Sequence, residues 1–342
     1  MKIGLVGYQG SGKTSLWQWL TGAISDASKA HTGQMAMAPV PDARIQQLCE
    51  IYKPKKVTTA ALELVDTPGL DRTHVGNAGR LAVIREAGCL VLVVAGFDGA
   101  DPRRDITSFD EDFLLADLEI VTGRVERLRE AVKKPRPNRD EQIAELATIE
   151  PLQAQLEEGR SIHETELTDD QEKTVRSFGL LTQKPRLVIV NVADDEEHPR
   201  QYDELSTDSQ PVMAVPVGLE SELARMEPEE RDEFRNEMEI GSFDRDGLIR
   251  TIMDVSGQML FFTAGEKEVR SWMTGKGTTA VMAADGIHTD LARGFIRAET
   301  MTCDDLIRVG SEREMKARNL MRQEPKDYVV QDGDILNIKF SV

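Results

Sequence analysis

Residues 7–15 read GYQGSGKTS, with Gly7 and Gly12 bracketing the turn and Lys13, Thr14 and Ser15 following at once. The chain before it, MKIGLVG, carries a short apolar, β-leaning run at Ile3, Leu5 and Val6. After it, SLWQWLTGAI places Leu16, Trp19, Leu20 and Ala23 at helical spacing. The order is therefore strand, glycine-rich loop, helix. Gly7, Gly12, Lys13 and Thr14 match the pattern G-x-x-x-x-G-K-[ST], with Gly10, Ser11 and Ser15 completing the loop. Glycines let backbone N–H groups curl around phosphate oxygens where a Cβ would clash. The helix N-terminus adds partial positive charge. In that frame Lys13 reaches the β and γ phosphates and the Thr14 hydroxyl ligates Mg²⁺. The bland alternative is a chance match in a flexible turn, and the flanking strand and helix argue against it.

The chain has 342 residues, enough for two or three domains with their own cores. Net charge is −18, so bulk charge does not drive binding to nucleic acid. The charge is uneven: from Phe262 onward, 12 Lys and Arg face 13 Asp and Glu, and nearly all the negative excess lies upstream. Cys49, Cys89 and Cys303 are far apart and form no metal-ligand spacing; they read as small buried residues in a reducing compartment. The histidines form no cluster. The N-terminal segment reads as a strand rather than a signal peptide, and the longest apolar run, CLVLVVAGF at 89–97, is too short to span a bilayer. A cytoplasmic protein without a membrane partner is expected.

Strand-like runs recur at Lys2–Val6, Ala61–Val65, Cys89–Ala95, Arg186–Asn191 and Pro211–Pro216, with helical stretches between several of them. This alternation suggests a mostly parallel sheet covered on both faces, with the phosphate loop at its carboxyl edge. One long segment interrupts it. Leu114, Leu118, Val121, Val125, Leu128 and Val132 form a heptad seam, KKPRPN breaks the helix, and a second helix from about Asp140 to Leu156 ends at Gly159. The segment reads as an antiparallel helical hairpin, either scaffold or a protruding arm. Its seam closes within the chain or between chains, and a monomer is expected. Residues 221–240 read as one charged surface helix and 247–260 as a buried helix. A small β-rich domain follows, with a boundary expected near Gln258–Thr263 and a turn at DGD, 332–334.

Other parts of a nucleotide switch are present. VDTPGL at 65–70 ends an apolar strand 52 residues past Thr14. Asp66 supplies a second carboxylate on the Mg²⁺ side, and the Gly69 amide can meet the γ-phosphate and sense hydrolysis. NVAD at 191–194 ends another strand, so Asn191 and Asp194 match the base-reading pattern N-K-x-D with Val192 in place of lysine. A carboxylate at Asp194 can accept from guanine N1–H and the 2-amino group, donors that adenine lacks. The alternative is a plain strand-to-turn junction. Thr32 in KAHTGQ is the candidate threonine for Mg²⁺ and γ-phosphate.

The chain resembles the YchF family, the Obg-like ATPases, over nearly its whole length. The resemblance is most specific in FFTAGEKEVRSW, KGTTA, IHTDLARGFIRAE and KDYVVQDGD, and extends to VPDARIQQL, IYKPKK, DPRRDI, LADLEIV, LLTQKP and ESELARM. It implies an α/β fold in three parts: a Ras-like P-loop domain over 1–105 and 182–260, a helical coiled-coil insert over 106–181, and a C-terminal β-grasp TGS domain over 261–342. It also implies slow NTP hydrolysis, Mg²⁺ as cofactor, GTP or ATP as substrate, and a ribosome, ribosomal subunit or RNA as partner. Arg293 and Arg297 in ARGFIR are candidate RNA phosphate contacts, or else ordinary surface arginines.

The departures from the family bear on mechanism. Gly10 and Ser11 stand where the family usually has asparagine and valine, DTPGL replaces DIAGL, and the base motif ends in Asp194 instead of Glu. That last change favours GTP. Pro216 and Val217 replace the usual Ser-Ala base loop. A histidine-bearing segment that the family carries before DPRRDI, linked to hydrolysis, is missing, and Leu70 stands where small GTPases place a water-orienting glutamine. Lys13 and Gly69 remain as catalytic candidates, and His74 becomes one if it swings inward; phosphate-loop positioning alone or a residue supplied in trans are the alternatives. Two functions compete: a slow nucleotide switch, and a ribosome- or RNA-binding module with negligible turnover. A small-molecule kinase would need an arginine-rich lid, and the insert is a heptad hairpin instead.

Overall fold

The computed structural model describes residues 1–162, 167–196, 198–207, 209–238 and 240–341. The chain forms two compact units: Met1–Ala36 with Glu63–Phe243, and Met37–Leu62 with Asp244–Val342.

The strands are β1 (Lys2–Val6), β2 (Gln34–Pro39), β3 (Lys56–Thr58), β4 (Ala61–Asp66), β5 (Cys89–Gly96), β6 (Arg186–Val192), β7 (Val212–Val215), β8 (Gln258–Ala264), β9 (Glu268–Gly275), β10 (Phe295–Thr302), β11 (Arg322–Glu324) and β12 (Asp334–Phe340). The first sheet has the order β2-β4-β1-β5-β6-β7. Its β4–β1, β1–β5, β5–β6 and β6–β7 pairs are all parallel. Ile3, Leu5, Val6 and residues 90–93 are fully buried, as strands covered on both faces must be. Those runs therefore show no alternation in the sequence.

The long helix runs unbroken from Pro102 to Ala131. Its start is 12 residues upstream of the heptad seam, where Asp101 caps the Arg104 amide and Pro102 takes the first turn. The first half, with Ile106, Phe109 and Phe113, belongs to the core of the parallel sheet. The second half contributes Val121, Val125 and Leu128 to a separate core with Ile149, Leu152 and Leu156 of the return helix Arg139–Glu157. The seam thus closes within the chain. Gly159 follows at φ +77, the left-handed geometry that ends a helix.

The second sheet has the order β11-β10-β12-β8-β9-β3. A parallel β12–β8 pair is flanked by antiparallel β10–β12 and β8–β9 pairs, a β-grasp arrangement. Its core joins Met259, Phe261 and Leu336 to Ala283 of the helix Ala280–Ile287.

Four sequence expectations change. Residues 37–62, expected in the nucleotide domain, group with the C-terminal unit because β3 pairs with β9 in register Lys56↔Glu268. The second unit starts at Asp244, upstream of the boundary expected near 258. The expected helix over 221–240 is two helices, Val217–Leu223 and Pro228–Glu237: Pro228 has no N–H with which to continue the first, so it opens the second. The buried helix expected to reach 260 ends at Val255, and Gly257 at φ +69 turns the chain into β8.

Candidate nucleotide-binding site

β1 ends at Val6, and the chain then turns through Gly7, Gly10 and Gly12 at φ +146, +82 and +96. A Cβ on Gly7 would lie 2.2 Å from the Val93 carbonyl oxygen, and one on Gly12 would lie 2.3 Å from Asn191 Nδ2. The first meets backbone and the second a side chain held by two hydrogen bonds, so both glycines are favoured by sterics as well as by φ. The helix Lys13–Thr21 starts at once after Gly12 with no side-chain cap, which leaves its first amides free for an anion.

Lys13 is only 6% exposed. Its Nζ donates to the Tyr8 carbonyl oxygen at 2.7 Å. Burial pushes its pKa down to about 8, partly opposed by the nearby Asp66 carboxylate. An ammonium so placed gains most when a polyphosphate replaces the water it has lost.

Asp66, at the end of β4, is 7% exposed. Its Oδ2 accepts from Thr14 Oγ1 at 2.8 Å and from Gln34 Nε2 at 3.2 Å. Its Oδ1 is buried with no partner, as is Ser11 Oγ. Orphaned buried acceptors are costly in a native structure. A hydroxyl paired with a half-satisfied carboxylate is the donor set of a hard cation, so these residues fit Mg²⁺.

Of the two expected base-side residues, Asn191 ties the phosphate loop to the helix Val217–Leu223, and Asp194 bonds to that helix. Asn191 Nδ2 donates to the Ser11 carbonyl at 3.1 Å, and Asn191 Oδ1 accepts from the Val217 amide at 3.2 Å. Asp194 is exposed, and its Oδ1 accepts from the Leu219 amide at 3.0 Å. Ser221 Oγ donates to the Ser15 carbonyl at 3.2 Å, a second tie between the phosphate-loop helix and the helix Val217–Leu223. Val192, which replaces the motif lysine, is buried in the sheet core.

The loop after β4 is docked on the phosphate loop. Leu70 N donates to the Gly7 carbonyl at 3.0 Å, and the Gln9 amide donates to the Leu70 carbonyl at 3.1 Å. A Cβ on Gly69 would sit 2.9 Å from Lys13 Nζ, which places Gly69 beside the lysine. Leu70 is fully buried.

Two expected residues are not brought to this cluster. Thr32 is exposed, and its hydroxyl donates back to the Lys29 carbonyl at 3.4 Å. The Thr32 and Gly33 amides bond to the same carbonyl, which closes a turn and leaves Gln34 as the residue that reaches Asp66. His74 has φ +65 and its Nδ1 lies 2.9 Å from Asp112 Oδ1 on the long helix. Tyr8 OH donates to Asp112 Oδ2 at 3.1 Å; burial first, then the Asp112 charge, drives the phenol pKa well above its usual range. Arg72 forks onto Asp105 with two bonds of 2.6 Å and lies 4.3 Å from the Tyr8 ring centre. Arg293 and Arg297 are exposed in the C-terminal unit, and Arg293 lies 3.9 Å from Asp290. Gln34, Arg72 and Ser221 carry no motif signature and were not legible as site residues.

Among the described residues no group of three His, Cys, Asp or Glu side chains could hold a metal alone, and no helix is long and apolar enough to cross a membrane.

A glycine loop closing on a buried lysine, a threonine–aspartate pair and an asparagine clamp define a nucleotide-binding protein of the P-loop class. A family model described as 50S ribosome-binding GTPase matches residues 2–122, and the YchF GTPase C-terminal model, described as a protein of unknown function, matches residues 259–341. The ribosome-binding ATPase YchF of Bacillus subtilis is 32% identical over 367 aligned positions that cover all of both chains. Its namesake from Escherichia coli O157:H7 is 33% identical, covering 100% of this chain and 99% of its own. The Schizosaccharomyces pombe YchF GTPase structure superposes with a TM-score of 0.84 at 27% identity, covering 99% of this chain and 97% of its own. The chain belongs to the YchF family.

Proposed function

We propose that this protein is a slow purine nucleoside triphosphatase that binds NTP with Mg²⁺ in the cytoplasm and reports its nucleotide state to the ribosome. The observation that carries the reading is the buried Lys13 ammonium next to Gly69, with the Thr14–Asp66 pair beside it. Lys13 and the loop amides hold the β and γ phosphates, while Thr14 and Asp66 would hold Mg²⁺, Asp66 through water. A bound Mg²⁺ would neutralise charge on the phosphate oxygens. Asn191 fixes the base-side loop against the phosphate loop. Asp194 is the candidate reader of the base edge, which favours GTP while leaving ATP possible.

Ribosome association is supported by the names of the relatives and by the near-neutral C-terminal unit in a chain of net charge −18, with Arg293 and Arg297 as candidate RNA contacts. The three-part domain reading, with the helical insert in the first unit and the TGS domain as the part of the second unit from 261 on, and a monomeric state belong to the same proposal. The test is turnover of GTP and ATP with and without ribosomes, alongside co-sedimentation in each nucleotide state. Slow turnover and nucleotide-dependent co-sedimentation are expected. Binding to ribosomes that ignores nucleotide, with no turnover, would replace the switch by the alternative of a simple binding module, which the burial of Leu70 favours.

A further inference from the structure

Hydrolysis needs a group that orients water toward the γ-phosphorus, and the usual place for one is filled by Leu70. That side chain is fully buried, and both its backbone groups are engaged with the phosphate loop. The polar side chains that follow it are also engaged. Asp71 accepts from Thr73, Arg72 is forked onto Asp105, His74 lies against Asp112, and Asn77 bonds to the Asp71 backbone. Gln34 is held by Asp66.

Gln9 is different. It is exposed, and its side-chain amide has no hydrogen bond to any described residue. It sits against Gly69: a Cβ built on Gly69 would be 3.1 Å from both Gln9 Cα and Gln9 N, and 2.9 Å from Lys13 Nζ. The Gln9 backbone, Gly69 and Lys13 Nζ thus meet at one point of the phosphate loop, and the exposed Gln9 side chain starts from there. In the hydrolytic reading the γ-phosphate lies beside Lys13 and Gly69, within reach of that side chain. A primary amide suits the task, because its oxygen accepts from water while its NH₂ donates to a phosphoryl oxygen.

We propose that Gln9, from the phosphate loop itself, is the water-orienting side chain, which rests on the hydrolytic reading above. The water oxygen forms a bond to the γ-phosphorus as the bond from that phosphorus to the β–γ bridging oxygen breaks. The electron pair stays on the β-phosphate of the NDP. The water proton ends on the released phosphate, and Gln9 orients the water without taking the proton.

The test compares wild type, Gln9→Ala and His74→Ala in single-turnover hydrolysis. It also measures NTP affinity and formation of the fluoroaluminate complex with NDP, which mimics the transferring phosphoryl group. Gln9→Ala should lower the rate roughly tenfold or more and lose the fluoroaluminate complex, while NTP affinity falls by much less than the rate. Gln9→Asn should recover part of the rate if the amide acts, since it keeps that group on a shorter stem. Wild-type turnover in Gln9→Ala, or loss in His74→Ala alone, would overturn the assignment. So would loss of NTP binding in Gln9→Ala, since Gln9 would then serve affinity. A wild type that binds NTP but neither turns over nor forms the complex would instead bring down the hydrolytic reading itself.

Discussion

Replacing Lys13 by methionine should separate function from stability. The Lys13 ammonium is 6% exposed and its pKa falls from 10.5 to about 8, chiefly through burial. At about 1.4 kcal/mol per tenfold change in proton affinity, keeping it charged costs the folded protein about 3 kcal/mol at pH 7. Methionine fills similar space without the charge. It gives up the bond to the Tyr8 carbonyl, but that oxygen keeps the Ser11 amide at 3.3 Å, so the loss is about 1 kcal/mol. The nucleotide-free variant should therefore be about 1–2 kcal/mol more stable than wild type while losing roughly 10- to 100-fold in NTP affinity, the worth of one charge-assisted bond.

Lysine with a lowered folded pKa holds fewer protons folded than unfolded between pH 8 and 10.5. The full penalty is present below about 8 and fades as pH rises, so the stability gap between variant and wild type should close over that window. Bound phosphate favours the ammonium, so wild-type NTP affinity should fall as pH rises through about 8. Trp17 and Trp19 lie in the phosphate-loop helix, so urea unfolding followed by tryptophan fluorescence reads this unit, with Trp272 as a signal from the other. A Lys13→Met protein clearly less stable than wild type at pH 7 would refute the reasoning.

Asn191→Ala removes the bond to Ser11 and the bond to Val217, leaving two buried backbone groups unpaired at about 1–3 kcal/mol each; both melting temperature and NTP affinity should fall in calorimetry. Gly12→Ala meets a 2.3 Å approach to Asn191 Nδ2 at φ +96, whereas Gly10→Ala at φ +82 meets nothing within 4 Å. Thermal melts should show Gly12→Ala the more damaging, by about 1–3 kcal/mol beyond the shared backbone strain. Arg72→Ala frees Asp105 and the Tyr8 ring face, so amide hydrogen exchange across 70–78 should quicken while β1 stays protected.

Much of the phosphate side was legible because motif and sterics coincide. Gly7 and Gly12 are read from spacing, and each stands where a Cβ would strike another segment. Asp66 and Asn191 could be placed because each lies at the carboxyl end of a parallel strand, which fixes them at one edge of the sheet. Thr32 could not be placed that way: it lies in a turn closed by its own amide, and no periodicity distinguishes it from Gln34. The start of the long helix was available in Asp101–Pro102, a cap followed by a first-turn proline, but the heptad seam masked it. The passage of Met37–Leu62 into the second unit rests on β3, three residues whose pairing partner lies over 200 positions away, and local pattern carries no such information.

The measurement that bears most directly on the site is calorimetric titration of wild type, Lys13→Met and Asp194→Ala with slowly hydrolysed GTP and ATP analogues in Mg²⁺. Wild type should bind at least one analogue, Lys13→Met should bind both more weakly, and Asp194→Ala should lose GTP affinity more than ATP affinity. Equal binding of both analogues by all three proteins would contradict a phosphate site built on Lys13 and a base edge read by Asp194.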